Sequence, residues 1–303
     1  MKKAFTMIEL VFVIVIMGIV ASIGAEIIVK LYDNYLRTRS INKLQFQTEL
    51  VLDQIAKRLT YRIKDSTVAR VNNSGTYVPL ADANSSYRIL AWIGKNYEGF
   101  LGESNGSMVV PGWSGFVDLD SNKTNATQIK TSGSNLNYAT DIINALSYGA
   151  VDLNGSDTGS SVIRPVIIFK GLSGYDVSKY GWNGGDGNYT LKVKYNTINP
   201  DILEFDENIT VKGVTEISEQ YDLAWSAYAL VPEGSQDDFN LTLYYNFQPW
   251  YGNDYNSTIG IPLMEHVSTF RFRQIGETIR IKLCIRDDRT GGDYGFCKEK
   301  VVF

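Results

Sequence analysis

This chain of 303 residues contains one frequent motif that could undergo a specific reaction: an asparagine followed two positions later by a serine or threonine. Such Asn-x-Ser/Thr triplets are acceptors for N-linked glycosylation, in which the side-chain amide nitrogen receives a sugar. Ten triplets occur, whereas random placement of the 22 asparagines predicts about three. Their asparagines are Asn72, Asn84, Asn105, Asn122, Asn125, Asn154, Asn188, Asn208, Asn240 and Asn256.

An acidic residue stands two positions before eight of the ten asparagines. Acids fill 33 of 303 positions, so chance puts one at a given offset about one time in ten. The acid-x-Asn-x-Ser/Thr pattern resembles the extended acceptor sequence of bacterial periplasmic oligosaccharyltransferases, which implies such an enzyme as a partner. We expect glycans on several of these eight, and none on Asn72 and Asn125, which follow Arg70 and Lys123. The acids are Asp82, Glu103, Asp120, Asp152, Asp186, Asp206, Asp238 and Asp254.

Two other interpretations of these pentads stay open. Asp, Asn, Ser and Thr all favour turns, which accounts for their abundance in loops but does not fix an acid at one offset. Oxygen-rich calcium loops use the same residue types, but they need a later bidentate carboxylate and a fixed loop length, which these pentads lack. The fixed offset therefore favours glycosylation.

The remaining composition gives little basis for an enzyme. There is a single histidine, His266, so a catalytic triad or a histidine-ligated metal would depend on it, and beside Glu265 it is predicted to be a surface residue. No glycine-rich phosphate loop and no CxxC pair is present, and the net charge of −4 gives no signal for nucleic-acid binding. We expect no catalytic site, cofactor or metal. The five tryptophans are predicted to be core or loop anchors rather than a carbohydrate platform.

An apolar segment near the amino terminus is predicted to cross a membrane. Residues 8–29 are nearly all apolar or small, and at 1.5 Å per residue they match the roughly 30 Å of a bilayer core. Lys2 and Lys3 precede the segment, which puts the amino end in the cytoplasm. A cleaved secretory signal ending near Gly24 is the alternative. It is disfavoured because no turn follows the segment and because Glu9 lies inside it.

The order of residues from Lys2 to Glu9 resembles the class III signal of type IV prepilins and pseudopilins. A short basic leader, a small residue, Phe and then Glu four positions later are all in place, although most of that family carry Gly where this chain has Ala4. The resemblance implies a leader of residues 1–4, cut by a prepilin peptidase between Ala4 and Phe5, and N-methylation of Phe5. It also implies that Glu9 pairs with the amine of a neighbouring subunit during assembly.

The elements that position these residues divide the rest of the chain in two. No proline occurs before Pro79, and apolar residues recur at helical spacing well beyond the membrane segment, which predicts one helix over residues 5–67. From residue 68 to 303 alternating patterns such as 239–248 predict strands, including a hairpin about Gly276. Residues 221–231 are predicted to form one strand, and 141–148 a helix turn. The predicted fold class is α+β, with a long helix packed on a mainly antiparallel sheet.

Cys284 and Cys297 are predicted to form a disulfide bond. They lie on the second hairpin strand and the last strand, and export to an oxidising compartment would favour the bond. A carboxy-terminal disulfide loop also resembles the pilin family. Residues 263–284 resemble the last hairpin of W-type minor pilins and J-type minor pseudopilins, whereas the 150 or so residues before them resemble no family.

These observations predict a structural subunit rather than an enzyme. The expected function is that of a minor pilin or pseudopilin in a type IV pilus or a type II secretion pseudopilus. Its helix would be held in the inner membrane, and its globular part would lie in the periplasm. The alternative is an adhesin or ligand-binding module that uses the same anchor, and an enzyme behind an ordinary signal peptide comes third.

Overall fold

The computed structural model describes residues 6–104, 109–156, 162–171, 176–286 and 295–303. Ala4, Phe5 and Asn105 therefore lie outside the described residues. Within these ranges there are three α-helices, α1 (Met7–Thr60), α2 (Tyr97–Phe100) and α3 (Leu136–Leu146). The strands are β1 (Val68–Arg70), β2 (Val78–Pro79), β3 (Ile89–Gly94), β4 (Glu103–Ser104), β5 (Val109–Val110), β6 (Gln128–Lys130), β7 (Val166–Phe169), β8 (Leu191–Tyr195), β9 (Ile202–Phe205), β10 (Tyr221–Ala224), β11 (Ser226–Gly234), β12 (Phe239–Phe247), β13 (Ile261–Ile275), β14 (Thr278–Arg286) and β15 (Gly295–Val302).

The strands form two large sheets in which every strand pair is antiparallel. The first has eight strands in the order β15-β14-β13-β12-β11-β3-β1-β2, and the second has five in the order β10-β7-β8-β9-β6. Strands β4 and β5 pair separately. The α+β fold with a long helix on antiparallel sheet is confirmed, but the second sheet was not predicted.

The first sheet is buried on both faces, because consecutive residues of its strands point to opposite sides. In β3, Leu90 and Trp92 belong to the core beneath α1, together with Leu52 and Ile55 of the helix. Ile89, Ala91 and Ile93 belong to a second core, which they share with residues of β7 in the other sheet. The eight-stranded sheet therefore lies between the helix and the five-stranded sheet.

The second sheet has the same two-sided character. In β7, Ile167 and Phe169 pack in a core with Leu136 of α3, whereas Val166 and Ile168 face the first sheet. A strand buried on both faces has no polar alternation, so its sequence gives no period of two. That is why the apolar run 166–169 does not indicate from its sequence that a second sheet is present.

Three predicted element bounds differ from the structure. Residues 221–231 form two strands rather than one, because β10 belongs to the second sheet and β11 to the first, with the buried Trp225 between them. Helix α3 has eleven residues where a helix turn was predicted. Helix α1 ends at Thr60 rather than 67, and Lys64–Ser66 form a short 3-10 turn.

Arg62 lies where α1 ends. Its side chain is buried and donates from Nη1 to the Leu59 carbonyl at 2.8 Å and from Nη2 to the Glu277 carbonyl at 2.7 Å. The backbone oxygen of Phe303 accepts from Nη1 at 3.3 Å. The next N–H, that of Ile63, donates to Ile93 in β3 instead of continuing the helix. A buried guanidinium thus satisfies carbonyls at the helix end, in the β13–β14 turn and just after β15.

All five tryptophans are buried, which agrees with the prediction that they are core or loop anchors. Trp92 lies beneath α1, Trp113 and Trp225 pack in the core with α3, and Trp182 and Trp250 lie between the two sheets. None of them forms an exposed platform.

Cys284 and Cys297 are bonded, in agreement with the sequence-based expectation. They are directly opposite each other in the β14–β15 pair, with Cα atoms 4.0 Å apart. Strand β15 is the edge of the sheet and lies under α1. The bond therefore fixes the strand against which the helix packs.

Replacing both cysteines by serine should lower the free energy of unfolding by about 2–4 kcal/mol, because the loop of 13 residues is no longer closed in the unfolded chain. Urea unfolding followed by tryptophan fluorescence measures this change, since all five tryptophans lie in the cores. Reductant should destabilise the parent protein by the same amount and leave the double variant unaffected. Equal stability of parent and variant under oxidising conditions would contradict the prediction.

Candidate functional site: an exposed helix and asparagine loops

The first half of α1 extends away from the globular part of the protein. From Met7 to Leu36 its large apolar side chains are exposed on every face, and the first buried residue along the helix is Leu44. At 1.5 Å per residue, this free half is about 50 Å long. The helix is long and apolar enough to cross a membrane. So large an apolar surface in a folded chain indicates that another apolar phase or partner covers it.

Glu9 lies in the first turn of this free half. Its carboxylate accepts hydrogen bonds from the Thr6 backbone N–H and the Thr6 hydroxyl, both at 2.9 Å. A negative charge is favourable at this end of a helix, where unpaired N–H groups are concentrated. The carboxylate therefore has a local partner, which sequence reasoning missed although Thr6 three residues before Glu9 has capping-box spacing.

The second acid of the apolar segment is also paired. Glu26 accepts from Lys30 at 2.7 Å, one helical turn further on. This pair lies about 25 Å along the helix from Glu9, near the far limit of a bilayer core. The two acids thus mark the ends of the stretch without charges.

The second half of α1 is fixed to the sheet. Leu52, Ile55 and Leu59 are fully buried against it. Beside this apolar stripe, Glu49 pairs with Lys298 at 2.8 Å, and Asp53 pairs with Lys300, both on β15. The globular part therefore holds the second half of the helix by burial and by ion pairs, and the free half continues beyond it.

The acid-preceded asparagines differ in their accessibility. Seven of the eight lie in the described residues. Asn154 and Asn188 are half-buried, and the Asn188 amide nitrogen donates to Asp186 at 2.8 Å. The other five, Asn84, Asn122, Asn208, Asn240 and Asn256, are exposed.

Five of the triplets form the same turn. In each, the asparagine Oδ1 accepts both the N–H and the hydroxyl of the Ser or Thr two residues later, at 2.7–3.1 Å. Asn72 and Asn125 form this turn without a preceding acid. Turn chemistry therefore accounts for the Asn-x-Ser/Thr spacing in these five triplets, but it does not need the acid. The five asparagines are Asn72, Asn84, Asn125, Asn154 and Asn208.

Some of the preceding acids have structural partners of their own. Asp152 accepts the Asn154 N–H at 2.8 Å, and Asp238 lies 3.2 Å from His266. In contrast, the carboxylates of three exposed acids make no hydrogen bond or salt bridge within the described part of the chain. These acids are Asp82, Asp120 and Asp206.

Asp254 pairs with a buried arginine, Arg70. Its Oδ2 accepts from the buried Arg70 at 2.7 Å, and its Oδ1 accepts from the Tyr77 hydroxyl at 2.8 Å. The Arg70 guanidinium lies between two aromatic rings, 4.4 Å from the centre of Tyr77 and 4.9 Å from that of Tyr255. Burial raises the pKa of Tyr77, and the Asp254 carboxylate raises it further, so the phenol keeps its proton and donates. Asp254 is thus the counter-ion of a buried charge.

The single histidine, His266, lies in strand β13. His266 has a φ of 56° where the register between β12 and β13 shifts, and its ring is partly exposed beside Asp238. Across the described residues, no group of three or more His, Cys, Asp and Glu side chains could hold a metal ion. The candidate functional features are therefore the free half of α1 and the loops that contain the asparagines.

Comparison with known proteins adds no assignment: no family model matches the chain, and neither a curated protein nor a solved structure matches it. The residues and their geometry carry the functional argument.

Replacing Asp254 by Ala should lower the free energy of unfolding by about 3 kcal/mol, because Arg70 would stay buried without its counter-ion. Replacing the exposed Asp206 by Ala is the matched control and should change stability by less than about 0.5 kcal/mol. Urea unfolding of both variants makes the comparison. Similar stability of the two variants would contradict the structural role of Asp254.

Replacing Asp206 by Ala should also remove the glycan that we predict on Asn208, because the acid is needed by the transferase and not by the fold. Glu207→Ala is the matched control, since it removes an exposed carboxylate at the neighbouring, wrong offset. Glycopeptide mapping of protein from the native host measures the occupancy. Unmodified Asn208 in the parent, or equal losses in both variants, would leave the pentads as turns alone.

Proposed function

We propose that this protein is an assembly subunit of an envelope-spanning fibre, a minor pilin or pseudopilin of a type IV pilus or a type II secretion pseudopilus. The observation that carries the proposal is the prepilin-like order from Lys2 to Glu9, which continues into a helix whose first half exposes apolar side chains on all faces and makes no contact with the described residues of the globular part. A secretory signal would be cut off and leave no use for such a helix.

The two halves of α1 suit the two environments of such a subunit. Before assembly, the free half would be held in the inner membrane, and the globular part would lie in the periplasm. In a fibre, the same apolar faces would pack against the free halves of other subunits. The sheet-bound half keeps each globular part at a fixed position relative to its helix. The partners implied are a prepilin peptidase, other pilin or pseudopilin subunits and an oligosaccharyltransferase.

Glu9 would exchange one partner for another during assembly. Cleavage between Ala4 and Phe5 creates a new amine, which is then methylated, four residues before Glu9. The Thr6 N–H and hydroxyl now hold the carboxylate in the first turn of α1. In an apolar bundle of helices, a carboxylate needs a cationic partner, and the amine of a neighbouring subunit supplies one.

A pilin-anchored adhesin or ligand-binding module is the less supported alternative. Such a module would make its ligand contacts on loops rich in Trp and Tyr, and all five tryptophans are buried. No enzymatic role is proposed.

Replacing Glu9 by Ala should leave processing and membrane retention intact and remove the protein from the fibre, because the amine would lose its partner. Mass spectrometry of the membrane-extracted protein should find N-methylated Phe5 at the amino end of both parent and variant. Immunodetection in sheared fibres, or in the assembly complex, should find the parent alone, with at least about a tenfold difference.

Glu26→Ala is the matched control. It removes the other acid of the apolar segment, whose partner is Lys30 of the same helix, and should still be incorporated. A mature amino end near residue 25 in the parent protein would overturn the pilin proposal. Undiminished incorporation of the Glu9 variant would overturn the pairing with the amine.

A further inference from the structure

A polar cleft of about 290 Å³ opens where strand β13 continues past the end of β12. The last pair between these strands is Phe239 with Val267, and from Thr269 onward β13 pairs only with β14. The loop that contains Ser85 and Ser86 closes the opposite side of the cleft. The cleft is therefore an interruption in the sheet, bounded by the edge of β13, by this loop and by the turn between β11 and β12.

Two arginines line this cleft, and neither is paired with a carboxylate within the described ranges. The Arg88 guanidinium lies 5.2 Å from the centre of the Phe239 ring. Arg271 donates from Nη1 to the Ser85 carbonyl at 2.6 Å. In a chain with more acids than bases, two unpaired guanidiniums in one concave site are a local excess of positive charge.

The frame around the two arginines is rigid. Phe239 and Phe270 are buried in the core beneath α1, so the strand residues next to the cleft are fixed. The contact of Arg88 with Phe239 and the bond from Arg271 to the loop restrict both side chains. Such restriction lowers the entropy lost when a ligand is bound.

The other lining groups are hydrogen-bonding side chains. Hydroxyls come from both the loop and the strand, and Gln236 adds an amide. Asp237 also lines the cleft, so the formal charge of the lining side chains is +1. A guanidinium fork matches the two oxygens of a carboxylate or phosphate. The Ser86 hydroxyl already donates to Asn84 and the Ser268 hydroxyl to the Cys284 carbonyl, so the hydroxyls of Ser85 and Thr269 are the ones that can donate to the remaining lone pairs of the ligand. The hydroxyl residues are Ser85, Ser86, Ser268 and Thr269.

We propose that this cleft binds an oxyanion group, a carboxylate or a phosphate, held by Arg88 and Arg271. The group can belong to an acidic sugar or to free phosphate, and the net charge of +1 suits a ligand with a single negative charge. This inference is independent of the proposed place in a fibre, because it concerns the globular part alone.

The test uses the full chain in detergent micelles at constant low ionic strength and two probes, inorganic phosphate and glucuronate. Isothermal titration should show saturable binding of at least one probe below about 10 mM. The probe that binds more tightly identifies the source of the oxyanion. Arg88→Gln and Arg271→Gln should each weaken this binding by about tenfold or more, since each removes one charge-assisted contact.

Arg273→Gln is the matched control. Arg273 is exposed two residues further along β13, on the same face as Arg271, and does not line the cleft. It should bind the probe as the parent does. If Arg271→Gln fails to fold because the bond to Ser85 is lost, Arg88→Gln decides, since the Arg88 side chain makes no hydrogen bond within the described residues. No saturable binding of either probe, or a loss shared by the Arg273 variant, would overturn the proposal.

Discussion

The structure depends on one constraint, which is that a single helix must satisfy two different surroundings. Its second half buries Leu52, Ile55 and Leu59 on the eight-stranded sheet, and its first half leaves every apolar side chain exposed. Burial of three such side chains contributes several kcal/mol, at about 1.5–3 kcal/mol each. The sheet, the ion pairs of β15 and the Arg62 contacts all serve to hold that one stripe in place.

The globular part achieves this with two sheets rather than one. A single sheet covered by α1 would expose its other face, and here that face is covered by the five-stranded sheet. The alternation in β3, with Trp92 on the helix side and Ile93 on the other, links the two cores within one strand. The stability of the helix on the first sheet therefore also depends on how the second sheet packs against the other face of that first sheet.

Sequence reasoning succeeded where a residue's role follows from its near neighbours. The helix, the alternation of residues 239–247 and the hairpin about Gly276 are local patterns, and the structure contains them. The second sheet escaped prediction because Val166–Phe169 is apolar throughout, so neither face is marked as outward.

The sites were less predictable than the fold because they join distant parts of the chain. Asp254 looked like one of eight equivalent acids, and only its contact with Arg70, 184 residues away, distinguishes it. Arg88 and Arg271 are likewise far apart in the sequence, and only the fold places both of them in one cleft. Conversely, Thr6 and Glu9 are three residues apart, so that pair was within reach of the sequence.

The pairing of the helix with β15 has a consequence for the time course of folding. Glu49 and Lys298 are nearly 250 residues apart in the sequence, and the helix that contains Glu49 is synthesised first. The apolar stripe of α1 cannot pack on the complete sheet until β15 has been synthesised up to residue 302. The core beneath the helix therefore forms through contacts between residues that are very far apart in the sequence. Such chains expose apolar surface for longer during maturation.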